Sequence, residues 1–295
     1  MIVDVHTHCW PSPDCFSPSF RADARRMRVD AVNLVSRYED YRAATAGEEV
    51  VSLVFGGKAR LTGVWIDDAD VAAYVARDSA QMIGFMSLDP TQDGWEDEMR
   101  EGRERFGFRG IKLLPMYAGF YPQDERLDPL WRYASKHNLP VLLHTGTTFV
   151  ANAPIDCTLP RHLDPVAIRF PDVKIILAHL GHPYEGETIA VIRKHANLYA
   201  DVSALFYRPW QLFHSLMLVH EYNVWEKLLF GTDYPVTTVA ETIGGLRGLC
   251  DVQIDRFSLP REQVERLIHR DALGLLGLPD PRRALPTEAA RGGAR

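Results

Sequence analysis

Eight short apolar runs, separated by stretches of helical character, constrain this chain more than any other feature. They are residues 2–8, 50–55, 82–88, 109–114, 140–144, 174–179, 198–203 and 228–232. Several are almost continuously apolar, the pattern of strands buried on both faces. Segments 67–80, 94–106, 129–137, 186–195, 209–225, 239–250 and 260–276 read as helices. Asp128-Pro129 and Asp164-Pro165 each offer an N-cap acceptor followed by proline at the first helical position. Strand and helix alternating eight times predict an α/β fold, a (β/α)8 barrel of the TIM type in a single domain over residues 1–278. The competing open, doubly wound sheet would place a glycine-rich phosphate loop after its first strand. His8-Cys9-Trp10-Pro11 stands there instead.

The chain has 295 residues, 46% of them hydrophobic, enough for a full core. A net charge of −6 and the lack of a long basic run argue against nucleic acid and anionic membranes as partners. No apolar run approaches the roughly 20 residues that span a bilayer. Cys9, Cys15, Cys157 and Cys250 show no C-x-x-C spacing, which suits reduced thiols in the cytoplasm; a Cys9–Cys15 bridge is the alternative. Met1 leads straight into the first strand, so no signal peptide is expected.

Residues 9–49 and 145–163 make long connections after the first and fifth strands. In a barrel both leave C-terminal strand ends and overhang the active face, as lids or specificity elements. The tail 279–295, rich in Pro, Arg, Ala and Gly, is expected to be flexible.

The strand ends carry the chemistry. His6 and His8 close the first run and, by strand alternation, project from one face. His144, His179 and Asp233 close the fifth, sixth and eighth runs. A single buried histidine is usually a hydrogen-bonded core residue, and Asp233 alone could be a turn residue. Their repeated placement at matching strand ends points further, because a barrel gathers those ends around one bowl. Imidazoles with a carboxylate suit zinc or another divalent transition metal. Trp10, Tyr117, Phe149, Arg161, Tyr207 and Arg208 lie just beyond strand ends, where they would shape a substrate pocket or pack locally. Cys9 should point away from His8 and is not counted as a ligand.

Five motifs together resemble the amidohydrolase superfamily, in particular its amidohydrolase-related branch with the aminocarboxymuconate-semialdehyde decarboxylase-like proteins. They are Asp4-Val5-His6-Thr7-His8, Gly110-Ile111-Lys112-Leu113, Leu143-His144-Thr145-Gly146, Leu177-Ala178-His179-Leu180-Gly181 and Phe230-Gly231-Thr232-Asp233-Tyr234-Pro235. The resemblance runs from residue 2 to about residue 278. It implies a distorted barrel and a catalytic metal held by His6, His8, His144 and Asp233. His179 matches a sixth-strand histidine that serves as acid/base or polarises the substrate in one-metal members, and is a ligand in two-metal members. Lys112 matches the lysine that, carboxylated, bridges two ions in two-metal members. The branch resemblance favours one ion, zinc or alternatively manganese, with Lys112 left as an ammonium that binds a substrate carboxylate or pairs inside the barrel. His182 departs from the branch, where many relatives have a second glycine, and it adds a polar group to the pocket. A homodimer is expected from the resemblance alone.

The leading expectation is a metal-dependent hydrolase with catalytic His179 and Asp233, acting on a lactone, ester or amide through metal-activated water. The substrate is a small molecule, with Lys112, Trp10, Tyr117, His182 and Arg208 as its candidate contacts. Nonoxidative decarboxylation of an aromatic or unsaturated carboxylic acid on the same metal is the alternative. A barrel that binds a metal or small molecule without catalysis is the third reading.

Overall fold

The computed structural model describes residues 1–27 and 33–283. Eight parallel strands form the expected distorted (β/α)8 barrel: β1 (Ile2–His8), β2 (Val50–Phe55), β3 (Met82–Gly84 and Met86–Leu88), β4 (Ile111–Leu113), β5 (Val141–Leu143), β6 (Ile175–Leu177), β7 (Leu198–Asp201) and β8 (Leu228–Leu229). The ladder runs in two arcs, β1 to the first half of β3 and its second half to β8. Each of the two seams is bridged by backbone hydrogen bonds. At the first, Phe85 N donates to Val54 O and Met86 N to Gly110 O. At the second, Val5 N donates to Phe230 O, Asp233 N to His6 O and His8 N to Tyr234 O.

Helices α1 (Pro18–Ala24) and α2 (Tyr38–Ala44) lie in the long first connection. The others, α3 (Asp68–Ala76), α4 (Trp95–Glu104), α5 (Pro115–Ala118), α6 (Asp128–His137), α7 (Leu163–Arg169), α8 (Glu185–Lys194), α9 (Pro209–Glu221), α10 (Val239–Leu249), α11 (Arg261–Ile268) and α12 (Ala272–Leu276), mostly match the sequence reading. One expected helix, 260–276, divides in two because Asp271 caps α12 with a bond from Gly274 N. The expected caps at Asp128 and Asp164 are displaced. Both helices run on from a 3-10 turn and start before the aspartate could cap them. Asp128 instead pairs with Arg169 at 3.2 Å, and Asp164 bonds Lys194 and His195 at 2.6 Å.

Two apolar layers hold the strands. Val54, Leu88, Ile111, Leu143, Leu177 and Ala200 face the helices. Val3, Val5, Leu53, Phe55, Phe85 and Leu142 fill the inside, joined by Ala272, Leu273 and Leu276 of α12. β1 changes its inward face part-way. Its register against β2 slips between Asp4 and Thr7, so two residues of β1 oppose Leu53 alone. Val3 and Val5 therefore pack inside, while beyond the slip the rings of His6 and His8 meet inward-facing Phe55 at 5.2 and 4.9 Å.

Asp4, fully buried, anchors this slip and the second seam. It accepts from His6 N at 3.1 Å and Thr7 Oγ1 at 3.0 Å on its own strand. Across the seam it accepts from Thr232 N at 3.0 Å and Thr232 Oγ1 at 2.6 Å. Burial pushes its carboxyl up to about 6, more than these four bonds hold it down.

All four cysteines are free. No helix among the described residues is long and apolar enough to cross a membrane. The expected flexible tail lies outside the described residues from 284 onward. Before that, residues 281–283 form a turn in which Arg282 pairs with Asp280 and Glu49.

Thr232→Val keeps the shape and removes one donor to a buried carboxylate. It should cost about 1.5–3 kcal/mol, read as a lower urea midpoint at unchanged m-value. Asp4 has a folded pKa above its ordinary 3.8, so its contribution is present at low pH and is lost as pH rises through about 6. The variant's deficit should therefore be larger at pH 8 than at pH 5. An unchanged midpoint at both pH values would contradict the seam assignment.

Candidate metal centre

The bowl at the strand ends brings His6, His8 and Asp233 together. Asp233 Oδ1 lies 3.1 Å from His6 Nε2 and 3.0 Å from His8 Nε2. Donors that share one ion at about 2.1 Å each, at angles between square and tetrahedral, are separated by roughly 3.0–3.4 Å. Asp233 Oδ1 thus stands from each of the two imidazoles at the spacing of donors that share an ion. His6, His179 and Asp233 form a group whose ligand atoms all lie within 4.8 Å of one another. Asp233 and His179 both adopt left-handed backbone, φ 64° and 56°. Such conformations are strained for these residues and persist only where the surroundings impose them. Here the fixing bonds are Asp233 N to His6 O (2.8 Å) and His179 N to Asp201 Oδ1 (2.9 Å).

The outer nitrogens are engaged too. His8 Nδ1 lies 3.2 Å from Gly56 O, and its ring stacks on Trp10 at 4.3 Å. His6 Nδ1 lies 2.9 Å from Asp201 Oδ2. Ser203 Oγ contacts Asp201 Oδ1 at 2.5 Å and His179 Nδ1 at 2.8 Å. Asp201 and Ser203 were absent from the sequence candidates. The available signal was Asp201-Val202-Ser203, two polar residues at alternate positions closing the seventh run.

His144, expected as a ligand, lines the cavity beside these groups. Its Nε2 is 3.1 Å from Thr147 O, and Tyr117 packs edge-on against its ring. Lys112 is fully buried with Nζ 3.3 Å from His6 Nε2 and 4.6 Å from the centre of the Phe55 ring.

Burial sets the charges. It lowers His8 and His179 to about 4, against partial opposition from Asp233, and holds both neutral. It also lowers Lys112 to about 7 despite Asp233 and Asp201. Burial would raise Asp233, but His6 and His179 and the bonds from His6 and His8 hold it well below the carboxylate range. Burial and Lys112 oppose charge on His6, yet the flanking Asp201 and Asp233 raise it. His6, the neutral rings of His8 and His179 and an ionised Asp233 form a donor set that fits a divalent transition metal.

Above the centre lies a cavity of about 310 Å³. Trp10, Phe16, Phe20, Tyr117 and Phe149 give it aromatic walls; Lys112, His182 and Arg208 also line it. The two long loops overhang it as expected. Arg26 of the first donates to Phe149 O of the second at 2.8 Å, and Ala151 N donates to Asp23 at 3.0 Å. His182 is pushed down to about 3 by burial, then by His179 and Arg208, so it presents a neutral ring. Arg208 stacks on Tyr207 and reaches Met27 O at 3.5 Å. Arg161, another loop candidate, pairs instead with Glu187 away from the cavity.

A profile of the family described as amidohydrolase matches residues 3–278. A search of curated proteins finds no match. Among solved structures, the chain is similar to an uncharacterised TIM-barrel protein from Bordetella bronchiseptica (TM-score 0.71, 22% identity, 94% of this chain and 98% of that one). It is also similar to a probable 2-pyrone-4,6-dicarboxylic acid hydrolase from Acinetobacter baumannii (TM-score 0.65, 13% identity, 94% and 99%). A third is a mutant 5-carboxyvanillate decarboxylase from Novosphingobium aromaticivorans with bound manganese (TM-score 0.65, 13% identity, 94% and 97%). At these identities the likeness shows the fold.

Gly146, after β5, has φ 97°, and a Cβ there would lie 2.2 Å from His182 O. Gly146→Ala should cost at least about 1–2 kcal/mol for the backbone alone, more with the clash. Gly244→Ala, in open space on α10, should be neutral or stabilising by up to about 1 kcal/mol. Equal denaturation midpoints for the two variants would refute this packing.

Proposed function

This chain belongs to the amidohydrolase family, and on that premise we propose a metal-dependent hydrolase of small carbonyl compounds: lactones, esters or amides. The observation that carries the reading is the meeting of His6 Nε2 and His8 Nε2 on Asp233 Oδ1 beneath the cavity. His6, His8 and Asp233 would hold one divalent ion, zinc for preference and manganese as the alternative. His144, with Nε2 engaged by Thr147 O, would offer Nδ1 as the further ligand of the expected set. When bound, such an ion polarises a carbonyl and brings the pKa of water from about 15.7 to about 7.

The chain's own groups favour taking protons over giving them. Asp233 is ionised and accepts a proton on its carboxylate. His179 is neutral and offers its ring to the reacting group from the far side of the centre. Lys112, carrying its proton, supplies positive charge close to a developing oxyanion. The aromatic walls exclude water and suit a flat substrate body, and Arg208 and His182 orient its polar substituents.

Decarboxylation is the second reading. It is favoured by the aromatic walls beside Arg208 and by the printed activity of the manganese-bound 5-carboxyvanillate decarboxylase. The zinc- or manganese-loaded protein, given a lactone and ester panel and a set of hydroxybenzoates, should hydrolyse members of the first. Carbon dioxide from the second with silence on the first would select decarboxylation. Full biological activity in a His179→Ala plus Asp233→Asn variant would select non-catalytic binding.

Two metal measurements follow from the ligand assignment. Asp233→Ala should abolish tight metal binding, seen as loss of stoichiometric zinc in elemental analysis. Unchanged zinc stoichiometry in that variant would show that the site lies elsewhere. Burial and Lys112 oppose charge on His6, but the flanking Asp201 and Asp233 raise it above its ordinary range. A proton on that ring competes with zinc, so zinc affinity in chelator competition should weaken as pH is lowered. Affinity that strengthens toward low pH would contradict this.

A further inference from the structure

We propose that Asp201 and Ser203 act as a positioning pair that sets the tautomers of His6 and His179 together, so that both turn Nε2, and not Nδ1, toward the centre. The use of those nitrogens rests on the metal-dependent reading; the tautomers belong to the metal-free chain.

Proton counting carries the argument. Asp201 is completely buried at the end of β7. Its Oδ1 accepts from His179 N at 2.9 Å, Ser203 N at 3.0 Å and Ser203 Oγ at 2.5 Å. Three donors on one oxygen favour the ionised carboxylate. A carboxylate donates nothing, so the 2.9 Å contact from Oδ2 to His6 must use a proton on His6 Nδ1. Ser203 has one hydroxyl proton, and Asp201 takes it. Its Oγ can then only accept, and it sits 2.8 Å from His179 Nδ1. His179 must therefore hold its proton on Nδ1. An independent contact agrees: the same nitrogen lies 3.3 Å from Ser203 O, a carbonyl that can only accept.

The wall histidine shows the opposite arrangement. His144 commits Nε2 to Thr147 O. His8 reaches the same state as His6 and His179 by another route, giving Nδ1–H to Gly56 O. The pair is also held close by the neighbouring strand. A Cβ on Gly231 would stand 3.1 Å from His6 Cβ, 3.3 Å from Ser203 Cβ and 3.4 Å from Asp201 Cβ. When His179 takes a proton at Nε2 during turnover, its Nδ1–H stays on Ser203 Oγ and the hydroxyl proton stays on Asp201. No proton moves along the chain of bonds; the carboxylate stabilises the imidazolium through the serine.

Histidine-selective 15N labelling of the metal-free protein, read by long-range 1H–15N correlation, tests the assignment. Wild-type His179 should be the Nδ1–H tautomer near neutral pH. Ser203→Ala removes the 2.8 Å acceptor and leaves Nδ1 only the 3.3 Å carbonyl, so it should move His179 toward Nε2–H while His6 keeps its Nδ1 proton on Asp201. Asp201→Asn should disturb both rings and weaken zinc binding by about 10–100-fold in chelator competition. An Nε2–H tautomer for wild-type His179, or unchanged His179 shifts in Ser203→Ala, overturns the proposal. Those two spectra decide it even if Asp201→Asn does not fold. A wild-type protein with the assigned tautomers but no affinity for zinc would sink the metal reading and leave the positioning pair standing.

Discussion

The first and last strands of the barrel meet, and the centre is built on that meeting. Asp233 N bonds His6 O while Asp233 Oδ1 faces the Nε2 atoms of His6 and His8. One residue thus closes the backbone seam and presents the carboxylate. Asp4 and Thr232 brace the same junction from the other face of the strand. A barrel that failed to bring residues 2–8 alongside residues 228–234 would lose the fold's closure and its donor set together. This coupling explains why a buried, energetically costly carboxylate sits at position 4, away from the cavity.

Burial does most of the electrostatic work. It drives His8 and His179 to the neutral form and brings Lys112 down toward neutrality, while the clustered imidazoles keep Asp233 and Asp201 ionised. His6 stands between two carboxylates, which raise its affinity for positive charge. Such a pocket is preset for a cation. In the dry interior each of these interactions counts for more than it would in water.

Much of this was legible in the sequence, for physical reasons. The eight strands announce themselves because a strand covered on both faces must be apolar throughout. His6, His8, His179 and Asp233 stood out because polar residues that end such runs have few reasons to be there. What escaped the sequence was geometry set by non-local contacts. The slip in β1 that turns His6 inward depends on its pairing with β2. The orientation of His144 depends on the conformation of residues 145–147, which brings the Thr147 carbonyl to its Nε2. Asp201 and Ser203 were hidden because a single Asp or Ser in an apolar run has many roles, and only their distances to His6 and His179 give them one. The displaced caps of α6 and α7 reflect preceding turns that no propensity scale distinguishes from loop.

The most direct measurement is anomalous diffraction from crystals grown with zinc, recorded on both sides of the zinc absorption edge. The account predicts one strong peak in the bowl, within coordination distance of His6 Nε2, His8 Nε2 and Asp233, and no second peak beside Lys112. An ion bound away from His6 and Asp233, a pair of ions bridged by Lys112, or an empty bowl at saturating zinc would contradict it.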